Sequence, residues 1–307
     1  MAVCLPHGRL RVDPSGAAAL TPKAWAALTG VHLPSALDDR SQRFPCGSAG
    51  DGLRIKAVAT VPSGLRHAYL SSLVEPQELY LEQLVTTGQA YALGHEREVV
   101  GYAVVSDGTI VEFFVVDHCL AAMPALFMAA LVETGATKAL CKTFDTLMMT
   151  AAASRPAQTR TSGLLFRTIL DRGFVADPNV QSRVGTRSDV DSVWSIHDGF
   201  FDDRSEIERY AADGQLFLYE TVAAQLLGCG ILTRAVPGLD AVDVGMVVAA
   251  EHRRRGIGAH IVAHLKHQCL QAGDRPVCGC RADNYASRRA LENAGFATAH
   301  SLIEFTY

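Results

Sequence analysis

The chain has 307 residues, 49% of them hydrophobic and 20% charged, with a net charge of −4. That length fits two domains of ordinary size, and that composition fits a packed core, not a disordered chain. The mildly acidic balance excludes nucleic acid as a general partner. The longest uncharged apolar run, Cys119 to Val132, holds 14 residues with Pro124 inside it, too few to cross a bilayer. No signal-peptide core follows Met1, and the eight cysteines are scattered apart from Cys278-x-Cys280. A cytoplasmic protein with reduced thiols is therefore expected.

Residues 1–50, rich in Gly, Pro and Ala, read as an extension with one short helix, Pro22 to Leu28, behind a Thr21 cap. Residues 51–177 read as a first α/β domain, and several of its segments return in the second half. Leu84 to Leu93 resembles Tyr210 to Tyr219, each centred on a Gly-Gln pair. The strand-like Val99 to Val105 resembles Leu226 to Leu232, and Phe113 to Val116 resembles Gly245 to Val248. Gly135 matches Gly273, and Ala139 to Thr146 runs beside Val277 to Asn284, which sets Thr146 opposite Asn284. The offset widens by about six residues between strand and helix, where the first copy lacks a counterpart of Arg253 to Gly258. Ser154 to Ser162 reads as a polar loop, and Asp177-Pro178-Asn179 as the turn that joins the copies.

Residues 178–307 then read as a complete module. A helix starts near Ser188 or Asp189, a second covers Phe201 to Tyr210, and strands cover Leu216 to Tyr219, Leu226 to Thr233 and Val242 to Val248. The last strand runs into Arg253-Arg254-Arg255-Gly256-Ile257-Gly258-Ala259, which opens a helix. A Gly-rich cationic turn at a helix N-terminus gathers backbone N–H groups around an anion, so a phosphate or pyrophosphate is the expected ligand. The run has no Gly-Lys-Ser/Thr ending, and Ile261 stands where a dinucleotide fingerprint needs its third small residue.

The loop Arg253-x-x-Gly256-x-Gly258, followed by Asn284-Tyr285-Ala286-Ser287 and, after a helix, Gly295-Phe296, resembles the GNAT superfamily of N-acetyltransferases. The clear likeness covers about residues 186–307. It implies an α/β (α+β) fold of two GNAT-like domains, each a mixed, mostly antiparallel sheet flanked by helices. The first of them would be a degenerate repeat that binds no coenzyme, braces the second and walls its acceptor cleft. The likeness also implies acetyl-CoA as co-substrate and no metal. Met246, Val247 and Val248 would meet the pantetheine arm, with an amide near Val248 polarising the thioester. Arg253, Arg254, Arg255, Gly256, Ile257, Gly258 and Ala259 would hold the pyrophosphate, and Asn284 and Ser287 the far side of the arm. The partner would be a small-molecule or peptide amine, with no nucleic acid and no membrane, and a homodimer is allowed.

Asp243 and Asp240, near the start of the fourth strand, are candidates for the general base. Leu291 stands where the family often has a Tyr that protonates the leaving thiolate; Tyr285, Tyr307 or a water would then replace it. A rival reading is a non-catalytic acyl-CoA sensor, with Leu291 marking lost chemistry; a third is nucleotide binding by the Arg-rich turn. His260, His264 and His267 share one helix face and read as a solvated or partner-facing stripe. Glu251 and His252 read as solvated, and Ser195, His197 and Asp198 lie too close in sequence to build a triad.

Overall fold

The computed structural model describes residues 52–95, 98–170 and 173–307. The N-terminal extension and its expected helix lie outside the described residues. The first copy comprises β1 (Leu53–Val58), α1 (Ser63–Ser72), α2 (Leu79–Thr87), β2 (Gln89–His95), β3 (Glu98–Ser106), β4 (Thr109–Val115), α3 (Met123–Thr134), β5 (Lys138–Lys142), α4 (Thr146–Ala152), β6 (Gln158–Phe166) and β7 (Thr168–Ile169). The second comprises β8 (Val180–Val184), α5 (Val190–Ile196), α6 (Arg204–Ala212), β9 (Leu216–Thr221), β10 (Leu226–Arg234), β11 (Ala241–Val248), α7 (Ile257–Gln271), β12 (Arg275–Arg281), α8 (Tyr285–Asn293), β13 (Phe296–Ala297) and β14 (His300–Thr306). The Asp177 turn stands where the sequence puts it, with the Val180 amide on the Asp177 carbonyl. The helix expected from Phe201 starts instead at Arg204, because the Asp203 carboxylate accepts the Glu206 amide and fixes the N-cap there.

Twelve of the strands form one sheet in the order β1-β2-β3-β4-β5-β14-β6-β12-β11-β10-β9-β8, and β7 pairs with β13 apart from it. The copies exchange strands: β6 pairs with β12 of the second copy, and β14 pairs with β5 of the first. The two exchanged strands also pair with each other along their length. Residues 158–162, read from sequence as a loop, are instead the start of β6, paired along one edge with β14; β12 joins the other edge from Gly163 on. Gln158 to Thr161 are all exposed and their second edge has no strand partner, which suits their polarity.

Glycines mark the same close approach in both copies. A Cβ on Gly101 would collide with the Phe114 carbonyl on the facing strand, and one on Gly228 with the Val247 carbonyl. Gly135 and Gly273 both take positive φ just past a helix end, a conformation that glycine adopts without strain. One alignment shifts by a residue: Asp145, not Thr146, is the counterpart of Asn284, since each caps its helix by accepting the amide three residues on.

Each copy has a wedge in its sheet. β4 pairs in parallel with β5 only at Thr109 and Ile110, and β11 with β12 only from Ala241 to Asp243; beyond those residues the strands part. The first copy fills its gap. Glu112 accepts from Tyr102, Arg66 and Gln77; Lys142 donates to Gln77 and Tyr69; and Tyr69 donates to Asp145 at 2.7 Å. Every polar partner of this buried network is satisfied, so the burial is tolerable. Its strand-to-helix connection, residues 116–122, contains no positive φ, so the backbone builds no anion nest there. The second wedge is open.

Candidate functional site

A cleft of about 1520 Å³ occupies the second wedge. Its floor is β11. Ala249 donates to the Leu227 carbonyl on the β10 side, and strand alternation therefore turns the N–H and C=O of Val248 and Met246 away from β10, into the wedge. Arg253 Nε takes the Val248 carbonyl at 3.1 Å, and the Val248 amide faces the gap. The chain then enters the turn, where Arg254 and Gly256 both have positive φ, 63° and 83°. Helix α7 begins at Ile257 with no side-chain cap on its first amides. Alternating backbone hands ahead of an uncapped N-terminus make a nest for an anion.

The lining contains Met246, Val247, Val248, Arg253, Arg254, Gly256, Ile257, Gly258 and Ala259 on one side, and Asn284 and Ser287 on the other. Arg255 is exposed and outside the lining. Asn284 Oδ1 accepts the Ser287 amide at 3.0 Å and caps α8.

Asp243 sits at the apex, the last residue of β11 paired with β12. What exposure it has is to the cleft. Burial, then the Glu78 charge, pushes its carboxyl from 3.8 up to about 7, against the pull of the Leu79 amide and Arg167. Leu79 N donates to Asp243 Oδ2 at 3.1 Å. On the same face of β11, the Phe200 ring lies over Gly245, where a Cβ would meet it at 2.8 Å. The apex end of the cleft is therefore walled by both copies: Phe200, Glu206 and Tyr210 from the second; Glu78, Leu79, Tyr80, Gln83 and β6 from the first.

The other sequence candidates are placed elsewhere. Asp240 is exposed in the turn before β11, where its carbonyl accepts the Arg275 amide. Tyr285 is 74% exposed and outside the cleft lining. Tyr307 packs against Phe127 in the first copy and donates to the Ala152 carbonyl. Leu291 is buried in the core under α7, so a tyrosine there would overpack that core before it reached the cleft. Of the two loop-mouth residues, His252 is buried, with neither ring nitrogen hydrogen-bonded. The histidine stripe is partly covered: the Phe174 ring lies 5.2–5.8 Å from the rings of His260, His264 and His267, the first two are half-buried, and His267 stays exposed. Ser195 donates to Ser192, His197 stacks on Trp194 and Asp198 pairs with Arg253, so the three form no catalytic unit. Sequence reasoning missed Glu78, Leu79 and Arg167, because they lie far along the chain from the Asp243 they act on, in the other copy.

The comparisons with known proteins agree with this geometry. Residues 60–169 match the model described as "Acetyltransferase (GNAT) domain", and residues 188–296 match "Acetyltransferase (GNAT) family". The chain belongs to the GNAT acetyltransferase family. Its two GNAT domains stand in tandem and span most of the chain. The tandem fold is similar to that of a GNAT-family acetyltransferase from Colwellia psychrerythraea, with a TM-score of 0.74 at 17% identity over 83% of this chain and 99% of that one. It is also similar to a tandem GNAT protein from the clavulanic acid biosynthesis pathway, with a TM-score of 0.53 at 13% identity over 83% and 98%. A third similar structure is a GCN5-related N-acetyltransferase from Sphaerobacter thermophilus, with a TM-score of 0.58 at 14% identity over 84% and 96%. At these identities the likeness is one of fold. No curated protein matches significantly by sequence. Among the described residues of this tandem GNAT chain, no cluster could hold a metal ion and no helix is long and apolar enough to cross a membrane.

Proposed function

We propose that the chain transfers an acetyl group from acetyl-CoA to an amine, with both substrates held in the second copy's wedge. The observation that carries this reading is one continuous run of donors: the Val248 amide at the gap, then the nest at Arg254 to Gly256, then the open N-terminus of α7. That run suits a thioester carbonyl, a pantetheine arm and a pyrophosphate, in that order. Asp243 is the proposed general base. A carboxyl with a pKa near 7 can take a proton at neutral pH and release it again. The amine nitrogen attacks the thioester carbon directly, and catalysis consists of alignment, carbonyl polarisation and proton removal. The 178–307 segment is proposed as the catalytic domain, and the plugged 51–177 segment as its brace and wall.

The test has two parts. Calorimetry should find one acetyl-CoA site per chain, and CoA release should follow addition of an amine from a broad panel. Two equivalent sites would overturn the plugged first copy. The rival reading is a sensor without turnover: acetyl-CoA would bind and no amine would release CoA.

Gly258→Asp is expected to weaken acetyl-CoA binding by roughly 100-fold or more, because like charge in an anion nest adds to the steric block. The fold should survive, since the atoms nearest a Cβ at 258 are those of Met246 at 3.4 Å and Ala290 at 3.5 Å, ordinary contact distances. Unchanged affinity in calorimetry would place the phosphates elsewhere.

Asn284 has a double duty that two variants separate. Asn284→Ala should cost about 1 kcal/mol of stability through the lost cap. Asn284→Asp keeps the cap and should leave the Tm unchanged, yet lower acetyl-CoA affinity about tenfold by removing the amide donor. If the aspartate variant binds like wild type, Asn284 is a cap and nothing more.

A further inference from the structure

The loop before α2 belongs to the first copy but ends at the second copy's apex. Glu75 pairs with Arg275 at the start of β12. The Pro76 carbonyl accepts from Arg167 Nε at 3.1 Å. Gln77 is locked into the first copy's plug through Glu112 and Lys142. Glu78 pairs with Arg167 at 3.2 Å, both nearly fully buried. Its carboxylate fills the space beside Gly279 of β12, where a Cβ would lie 2.6 Å from Oε2. Leu79 then donates to Asp243.

Anchoring the loop needs no second acid at this place. The Glu75 pair and the Gln77 bonds already hold it, and a buried carboxylate next to another is costly. The charged and titratable groups that act on Asp243 are Glu78 from the loop, Arg167 after β6 and the Cys278 thiol on β12. Lys142 also reaches Glu78 at longer range, but its own acid is Asp145 at 3.9 Å. Glu206 and Tyr210 of α6 face the same cleft and bond each other at 3.2 Å. The apex therefore holds two carboxylates against one guanidinium.

We propose that Glu78 is a specificity-determining and positioning residue supplied by the first copy: with Asp243 it leaves the apex one cation short, and the acceptor that completes it is an alkylammonium ion. This inference rests on the acetyl-transfer reading. The step balances as follows. An ammonium N–H bond breaks, its proton passing to Asp243 and its electron pair staying on nitrogen. That pair forms the N–C bond to the thioester carbon. The C–S bond breaks with its pair on sulfur, and the second proton that nitrogen sheds ends there. Asp243 returns its proton to solvent.

The experiment compares wild type, Glu78→Gln, Asp243→Asn and the double variant. Thermal unfolding at pH 8 and pH 5 needs no acceptor. At pH 8 the gain from Asp243→Asn should be smaller in the Glu78→Gln background than in wild type, and at pH 5 that difference should shrink. Additive Tm shifts at pH 8 would overturn the coupling. Kinetics with putrescine, an ammonium at pH 7, and p-toluidine, neutral there, read the specificity. Wild type should prefer putrescine. Glu78→Gln should raise its KM by roughly tenfold with kcat little changed, and move the acid limb of kcat/KM to lower pH. A drop in kcat that is uniform across amines and pH would mark a merely structural role and overturn the proposal. Leu79→Pro is a second probe. Proline fits a first helical position behind the extended Glu78, whose ψ is 165°, and Leu79→Ala, which trims the same packed side chain but keeps the amide, is its control. The acid limb of the proline variant should move up. Equal wild-type turnover of both amines would overturn the proposal without any variant. If no amine releases CoA, the acetyl-transfer reading falls, while the unfolding cycle still decides whether Glu78 and Asp243 are coupled.

Discussion

Residues 178–307 expressed alone should fail to fold, although they contain the nest, Asn284 and Asp243. Without the first copy, β12 loses its β6 partner along Cys278 to Arg281, and β14 loses both neighbours. The loss extends to the cores. Phe166 of the first copy is fully buried in the cluster under α7, with Leu164 packed beside it. Phe305 and Ile303 of the second copy sit in the first copy's main cluster. Deleting one buried phenylalanine costs about 3–5 kcal/mol. A whole domain is stable by only about 5–15 kcal/mol, and here a strand is lost as well. The fragment should be insoluble or give no cooperative thermal transition by circular dichroism, and it should bind no acetyl-CoA. Co-expression with residues 52–177 should restore a soluble complex. A fragment that unfolds cooperatively by itself would show that the strand exchange is dispensable.

Asp243→Asn should lower kcat/KM by roughly 100- to 1000-fold while leaving acetyl-CoA affinity unchanged, the range that removal of a general base gives. The same change should stabilise the protein at alkaline pH. Asp243 binds its proton more tightly folded, near pH 7, than unfolded, near its ordinary 3.8. Between those values the folded state carries the extra proton, so stability falls as pH rises through the window and the full penalty is present above pH 7. The Tm gain of the asparagine variant should thus be largest at pH 8 and fade toward pH 4. Wild-type kcat/KM in the variant would remove Asp243 from the chemistry. A Tm gain that is flat with pH would mean that its carboxyl titrates normally.

Much of the second copy was legible because its signals are local. A nest is built from consecutive backbone groups, so Arg253 to Ala259 spells it out in seven residues. A helix cap is a side chain and an amide three residues on, and Asn284 and Ser287 supply it. The repeat was legible for a related reason: glycine at 101 and 228 is demanded by a carbonyl on the facing strand, so the position survives a change of neighbours.

The tertiary structure alone decided the rest. Alternation along a strand tells which face a residue takes, never which strand lies beside it, so nothing in Gln158 to Phe166 names β12 as its partner. Polarity misled there because a strand that pairs on one edge only, as Gln158 to Thr161 do with β14, can be exposed along its length and still be a strand. Tyr307 and Leu291 looked like replacement acids or their absence, and packing assigned both to cores. Asp243 and Asp240 are three residues apart and alike in sequence. What separates them is a loop from the first copy, 164 positions away from Asp243, that brings an amide and a charge to one of them and nothing to the other. Sequence therefore determined the chemistry that contiguous residues can build, and the strand exchange determined which side chains share its apex, because burial and charge act through space and not along the chain.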